Sequence, residues 1–211
     1  MRTKIRAFTA LELLVVVAAV LILAALALPS LSGSHKSVRV ECANNLKQIG
    51  LAFRLWSGDC GDKYPMQELA NESIWSFHLN ATNEFRYFQV MSNELTTPKN
   101  LVCPADTKRK PAANFTNGFD NSHISYFVGL DADETMPLTF LAGDRNLTNG
   151  QPKTNNILCL QTNQLVGWTK DLHNLGGNIA MADGSVRQLN TGGLQKALGD
   201  TGLATNRLLF P

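Results

Sequence analysis

The chain has 211 residues and a formal net charge of +2 at pH 7, with 19 lysines and arginines against 17 acids. That length holds one domain with an anchor, or two small domains. Arg2, Lys4 and Arg6 crowd into the first seven positions, so the remainder is nearly neutral, and without a basic stripe no nucleic-acid partner is expected.

From Ala10 to Leu28 every residue except Glu12 is apolar. Phe8–Leu28 is 21 residues, about 31 Å of helix at about 1.5 Å per residue, enough to cross a bilayer. The basic residues before it predict a cytoplasmic N-terminus and an exported remainder. A secretory signal peptide has an apolar core of about 7–15 residues and a small-residue cleavage site; here the run is longer and no convincing A-x-A site precedes a break. A plain anchor explains the length but not Glu12, since a carboxylate at the centre of a spanning helix costs roughly 2.5–3.5 kcal/mol.

After Pro29, where a bend is expected, the apolar positions thin to a stripe. Leu31, Val38, Cys42, Leu46, Ile49, Phe53 and Trp56 recur at spacings of three, four and seven, which predicts an amphipathic helix with one face to bury. Ser57-Gly58 reads as its end, with the glycine in the left-handed position. Residues 8–28 and 29–58 would then be two parts of one long helix, and 59–211 a separate head.

In the head, short apolar runs alternate with Gly, Pro, Asn and Asp. The predicted strands are Leu101–Cys103, Ile124–Leu130, Leu138–Ala142, Ile157–Leu160, Leu165–Thr169, Asn178–Ala182 and Ser185–Leu189. Asp183-Gly184 joins the last two, and this pair predicts a tight I′ hairpin turn. Residues 71–95 read as helical, capped by Asn71. The fold expected is α+β, an antiparallel sheet packed on the stripe of the long helix.

No nucleophile elbow, phosphate loop, dinucleotide fingerprint or HExxH occurs, so no catalytic residue is assigned. The histidines at 35, 78, 123 and 173 are scattered. "DCGD" at 59–62 and "DADE" at 131–134 gather acids that could hold Ca²⁺; neither is an EF-hand loop, and solvated turn acids are the simpler reading. No other metal or cofactor is expected. Asp144-Arg145 reads as a local ion pair or turn, Trp75 and Trp168 as core, and Asn71, Asn114 and Asn146 as chance N-x-S/T matches in a chain with 19 asparagines. That asparagine-rich surface suits a protein outside the cytoplasm, whose cysteines would be oxidised. Cys42 and Cys60 lie 18 positions apart, roughly 27 Å along a helix, whereas a disulfide needs Cα atoms within about 7 Å. Cys42 is left with Cys103 or Cys159, and Cys103 is favoured because "LVCP" reads as a strand laid on the helix.

The N-terminus resembles the class III signal of type IV prepilins and type II secretion pseudopilins, in which a short basic leader is cut before Phe and F-T-L-I-E-L begins the mature chain. Phe8-Thr9-Ala10-Leu11-Glu12-Leu13 fits that pattern, with Glu12 fifth and Pro29 twenty-second in the mature chain. Ala7 stands where the family nearly always has Gly, which implies slower processing at worst. "ECANNLKQIGLAFRLWSGDCGDKYP", "LVCPAD", "SYFVGL" and "HNLGGNIAMADGSVRQL" resemble a pseudopilin-like family with a C-terminal H-X9-DG motif, here His173, Asp183 and Gly184.

These resemblances imply a leader at 1–7, cleavage between Ala7 and Phe8 by a prepilin peptidase, and N-methylation of Phe8. They imply a single-pass inner-membrane protein with a periplasmic head that assembles with other pilin or pseudopilin subunits on an inner-membrane assembly platform. In a filament core, Glu12 of one subunit would meet the α-ammonium of a neighbouring Phe8 and set register. Such a chain is no enzyme but a peptidase substrate. Two other readings stand beside it: an anchored surface or binding protein that never polymerises, and an anchored hydrolase with a metal site near His173 and the acidic turns.

Overall fold

The computed structural model describes residues 9–31, 34–68 and 83–211, and the side chains among them outside 24–36. The leader, Ala7, Phe8, Asn71, Trp75 and His78 therefore lie outside the described residues. The chain divides into two units, Met1–Val38 and Arg39–Pro211.

In the first unit, helix α1 covers Ala10–Leu31, so Pro29 falls within its last turn. Thr9 begins it with a capping box. Glu12 Oε2 accepts from both the amide and the hydroxyl of Thr9 at 2.9 Å, and the Glu12 amide donates to Thr9 Oγ1 at 3.3 Å. Two orphan amide donors of the helix start are thereby satisfied. Among the described residues no helix is long and apolar enough to cross a membrane; in α1 the described side chains run from Ala10 to Leu23. The helical backbone itself extends over 22 residues.

Helix α2 covers Ser34–Asp59. Cys42, Leu46, Ile49 and Phe53 are fully buried and Trp56 nearly so, which is the stripe that the spacing predicts. The helix ends later than Ser57-Gly58. Gly61 takes φ +71° and the Asp62 amide donates to Ser57 O at 2.8 Å, a Schellman closure with Gly61 rather than Gly58 in the left-handed position.

The head is α+β. After α3 (Pro65–Glu68), α4 (Phe85–Val90) and α5 (Ser92–Leu95) come the strands β1 (Tyr126–Gly129), β2 (Phe140–Asp144), β3 (Leu147–Thr148), β4 (Ile157–Gln161), β5 (Gly167–Trp168), β6 (Gly176–Met181), β7 (Val186–Asn190) and β8 (Thr205–Leu209), with α6 (Thr191–Asp200) between the last two. Six strands form one antiparallel sheet in the order β4-β8-β1-β2-β6-β7, and β3 pairs with β5 separately. "LVCP" is not a strand. Thr97 caps a 3-10 turn over Pro98–Leu101, its side chain accepting from the Lys99 amide, because Pro98 cannot donate to a ladder and suits a helical first turn.

Two cores sandwich the sheet. Leu46, Ile49 and Phe53 of α2 pack with Tyr126, Val128, Ala142 and Ala180 on one face. Leu194, Ala197 and Leu198 of α6 pack with Phe127, Ile179, Met181 and Leu208 on the other. Helix α6 has no counterpart in the sequence reading, although Asn190 caps it by accepting from the Gly193 amide at 2.8 Å. With both faces covered, β1, β2 and β6 are buried at every position, and the alternation of a half-solvated antiparallel strand disappears.

Candidate functional site

The H-X9-DG residues do not meet. His173 precedes β6 and Asp183 follows it, so six strand residues lie between them, roughly 20 Å at about 3.3 Å per residue. The two ends of the motif fix β6 at two different places.

At the far end, the β6–β7 loop is three residues, Ala182-Asp183-Gly184, rather than a two-residue I′ turn. The Met181 amide donates to Ser185 O at 2.8 Å and the Gly184 amide to Met181 O at 2.9 Å. Only Gly184 has a positive φ, +84°, the pattern of a type I turn with a bulge. Asp183 Oδ1 accepts from the Ser185 amide at 2.8 Å, and Arg54 of α2 donates to Asp183 O at 3.1 Å. Tyr64 Oη donates to Ala182 O at 2.9 Å. This end docks the hairpin on the helix.

At the near end, Asn174 (φ 48°) and Leu175 (φ 64°) are both left-handed, a costly conformation for side-chain-bearing residues. They reverse the chain just after His173, whose side chain is only 4 % exposed. His173 Nε2 lies 3.4 Å from Cys103 Sγ and 3.4 Å from Asp144 Oδ2. Cys103 is bonded to Cys42 of α2, with Cα atoms 5.0 Å apart. Asp144 ends β2 opposite Tyr126 of β1 and accepts from the Asn178 amide at 2.7 Å and Nδ2 at 2.9 Å, both to Oδ2.

Burial pushes the Asp144 carboxyl up to about 7, against the Asn178 hydrogen bonds and the Arg39 charge. Burial and Arg39 push the His173 imidazole down to about 4. Between those values the pair holds one proton. Unpartnered polar atoms gather here too: Arg39 Nε, Asp144 Oδ1, Asn146 Oδ1, Trp168 Nε1 and Asn178 Oδ1 are buried without a hydrogen-bond partner among the described residues. Such atoms are rare in folded proteins and concentrate at sites with a task.

The other singled-out residues are engaged elsewhere. Asp144 and Arg145 are not a local pair: Asp144 ends β2 and Arg145 begins the turn after it, and Arg145 makes a fork to Asp106 at 2.6 and 2.8 Å. The acids of "DADE" are spent separately. Asp131 takes the Arg207 guanidinium, Asp133 accepts from Thr135 and Gln67, and Glu134 accepts from Ser57 and pairs with Arg54. None of these contacts involves His173, which lies with Cys103 and Asp144 instead. Asn146 is buried, donating to Thr169 O and Gly176 O, so its N-x-T match is structural, and Trp168 is core. Cys159 is an exposed thiol on β4.

Comparison gave no match: no family model fits the sequence, and neither characterised proteins nor solved structures are similar to it. Sequence reasoning gave Asp144 only a pairing with Arg145 and missed Asn178 and Arg39. The signal for Asp144 and Asn178 was a charged or amide residue inside or beside an apolar run, at "LAGDRN" and "GGNIAMA"; Arg39 had none.

Proposed function

We propose that the chain is a pilin-like structural subunit, a pseudopilin or pilin held in the inner membrane by residues 8–28, with its head in the periplasm. A prepilin peptidase cuts it between Ala7 and Phe8, and it assembles with other such subunits; it is not an enzyme. The observation that carries this reading is Glu12, the only charge in the apolar run, inside the F-T-A-L-E-L sequence. Its capping box with Thr9 supplies a competing reason for a carboxylate there, since a lost cap costs about 1 kcal/mol. The two roles part in one variant. Gln at position 12 keeps the cap acceptor and removes the charge, whereas Leu removes both.

If Glu12 sets register against the ammonium of a neighbouring Phe8, Glu12→Gln and Glu12→Leu both insert, are cut before Phe8 and fail to enter filaments. The reason is that removing one partner of a buried ion pair costs about 3–5 kcal/mol. The measurement is the mass of the mature N-terminus together with the protein recovered in sheared filaments. Assembly of Glu12→Gln at the wild-type level would reduce Glu12 to a cap. A wild-type chain that is cut but never found in filaments would favour the anchored, non-polymerising alternative. A chain that still begins at Met1 would overturn the reading.

A further inference from the structure

We propose that Cys42, Cys103, His173 and Asp144 form a zinc site that the disulfide closes in the oxidised chain and that opens when a dithiol reduces it. Cys42 Sγ, Cys103 Sγ and a ring nitrogen of His173 all lie within 4.8 Å of one another. His173 Nε2 is 3.4 Å from Cys103 Sγ and 3.4 Å from Asp144 Oδ2. In a tetrahedral zinc site with bonds of about 2.3 Å to sulfur and about 2.0–2.1 Å to nitrogen or oxygen, neighbouring ligand atoms stand about 3.4–3.8 Å apart. The imidazole thus already holds ligand spacing to a sulfur and to an oxygen. The two sulfurs are too close because they are bonded, and Asp144 stands beside the imidazole outside the Cys42–Cys103–His173 cluster, so side-chain rotation after reduction both separates the sulfurs and brings the carboxylate in.

The donor set and its surroundings fit a zinc ion. The neutral imidazole is the form that ligates, and the His173 side chain is only 4 % exposed between Cys103 and Asp144. Asp144 brings an oxygen, Oδ1, that is buried without a partner. Two thiolates and one carboxylate around Zn²⁺ leave one negative charge, and Arg39, whose Nε has no hydrogen-bond partner, stands near enough to act on both Asp144 and His173. A cavity of about 400 Å³ beside Glu41, Asn45 and Asp106 has Cys103 in its wall; since Cys42 and Cys103 are fully buried, a reductant and a metal reach the sulfurs when that wall opens.

The exchange balances. A dithiol becomes a cyclic disulfide as the Cys42–Cys103 bond takes up two electrons and two protons; Zn²⁺ then displaces those two thiol protons, and the carboxyl proton where Asp144 carries one, to the solvent. Such a switch suits a head made where thiols stay reduced and used where they are oxidised, and it does not depend on polymerisation.

The test uses the full chain in detergent, reduced with a phosphine, and Co²⁺ as a spectroscopic probe. The reduced chain is expected to bind one Co²⁺ with thiolate charge-transfer and tetrahedral d–d absorption, both lost on adding Zn²⁺, while the oxidised chain gives neither. Cys103→Ser and His173→Ala should weaken binding at least tenfold, Asp144→Asn about ten- to hundredfold, and Cys159→Ser not at all. Binding by the oxidised chain, no binding by the reduced chain, or unchanged affinity in Asp144→Asn would overturn the assignment. If reduction unfolds the chain, Zn²⁺ should restore cooperative melting to wild type but not to Cys103→Ser, and failure to restore wild type would overturn it as well.

Discussion

At the scale of single residues, Asp144 and His173 make a linkage argument with a definite sign. Alone, a carboxyl raised to about 7 stabilises the fold at low pH and loses that contribution as pH rises toward 7. Alone, an imidazole lowered to about 4 does the reverse, losing stability as pH falls from about 6.5 toward 4. Together, the folded pair holds one proton on Asp144 across this window and the unfolded pair holds one on histidine. Equal proton counts mean no slope, so melting of the oxidised wild type in chelator should be nearly flat in pH from this pair. Asp144→Asn should steepen acid destabilisation between about pH 6.5 and 4, and His173→Gln should turn the slope the other way, with stability falling as pH rises toward about 7. Arg39, Asp106 and Tyr126 also act on the pair and are unchanged in both variants; a flat profile in either variant would show that the remaining group does not keep its shifted pKa once its neighbour is gone. A second residue-scale expectation concerns Arg145, whose fork neutralises the buried Asp106. Arg145→Ala should cost about 3–5 kcal/mol in denaturant melts, because it leaves a buried carboxylate without its counter-charge, held only by the Ser125 hydroxyl and the Lys108 amide. His173 was visible in the sequence as a motif residue. Its partner was not, because Asp144 sits next to Arg145 in the chain, and only the folded sheet gives Arg145 to Asp106 instead.

At the scale of elements, β6 is the part to probe. Its ends dock independently, His173 by the disulfide and Asp183 by Arg54 of α2. The double variant His173→Ala with Asp183→Ala should therefore show melting losses that add within about 0.5 kcal/mol, as distant sites do. Non-additivity well beyond that would mean the motif acts as one unit after all. Gly184→Val should cost about 1–3 kcal/mol, mainly because valine strains at φ +84°; the nearest obstacle to its Cβ, Arg54 Nη1 at 3.3 Å, is the end of a flexible side chain and can give way. The strands β1, β2, β4, β6 and β7 were legible from apolar runs between turn residues. The β6–β7 loop type was not, because Asp-Gly serves both a two-residue turn and a three-residue loop with a bulge, and the choice depends on how β7 registers on β6.

At the scale of the whole molecule, the Cys42–Cys103 bond ties α2 to a loop 61 positions away. Replacing both cysteines with alanine should lower stability by about 2–5 kcal/mol through the unfolded chain's added freedom, read as a fall in the denaturation midpoint. Non-reducing peptide mapping should recover the two cysteines in one linked pair, and a Cys42–Cys60 peptide would contradict the helix between them. By itself the sequence determined what is local, the buried stripe of α2 and most of the strands; the Thr9–Glu12 box that starts α1 is as local, but the structure was needed to see it. Each of these follows from periodicity, turn chemistry or capping within a few residues. Helix α6 escaped even so, since two glycines after its cap weaken a helical reading and its apolar face is short. Tertiary structure alone decided the strand order β4-β8-β1-β2-β6-β7, the second covered face, and the meeting of Cys103, Asp144 and His173. Those three residues come from a loop, the end of β2 and the turn before β6, and only the pairing of β2 with β6 over the end of α2 brings them within reach.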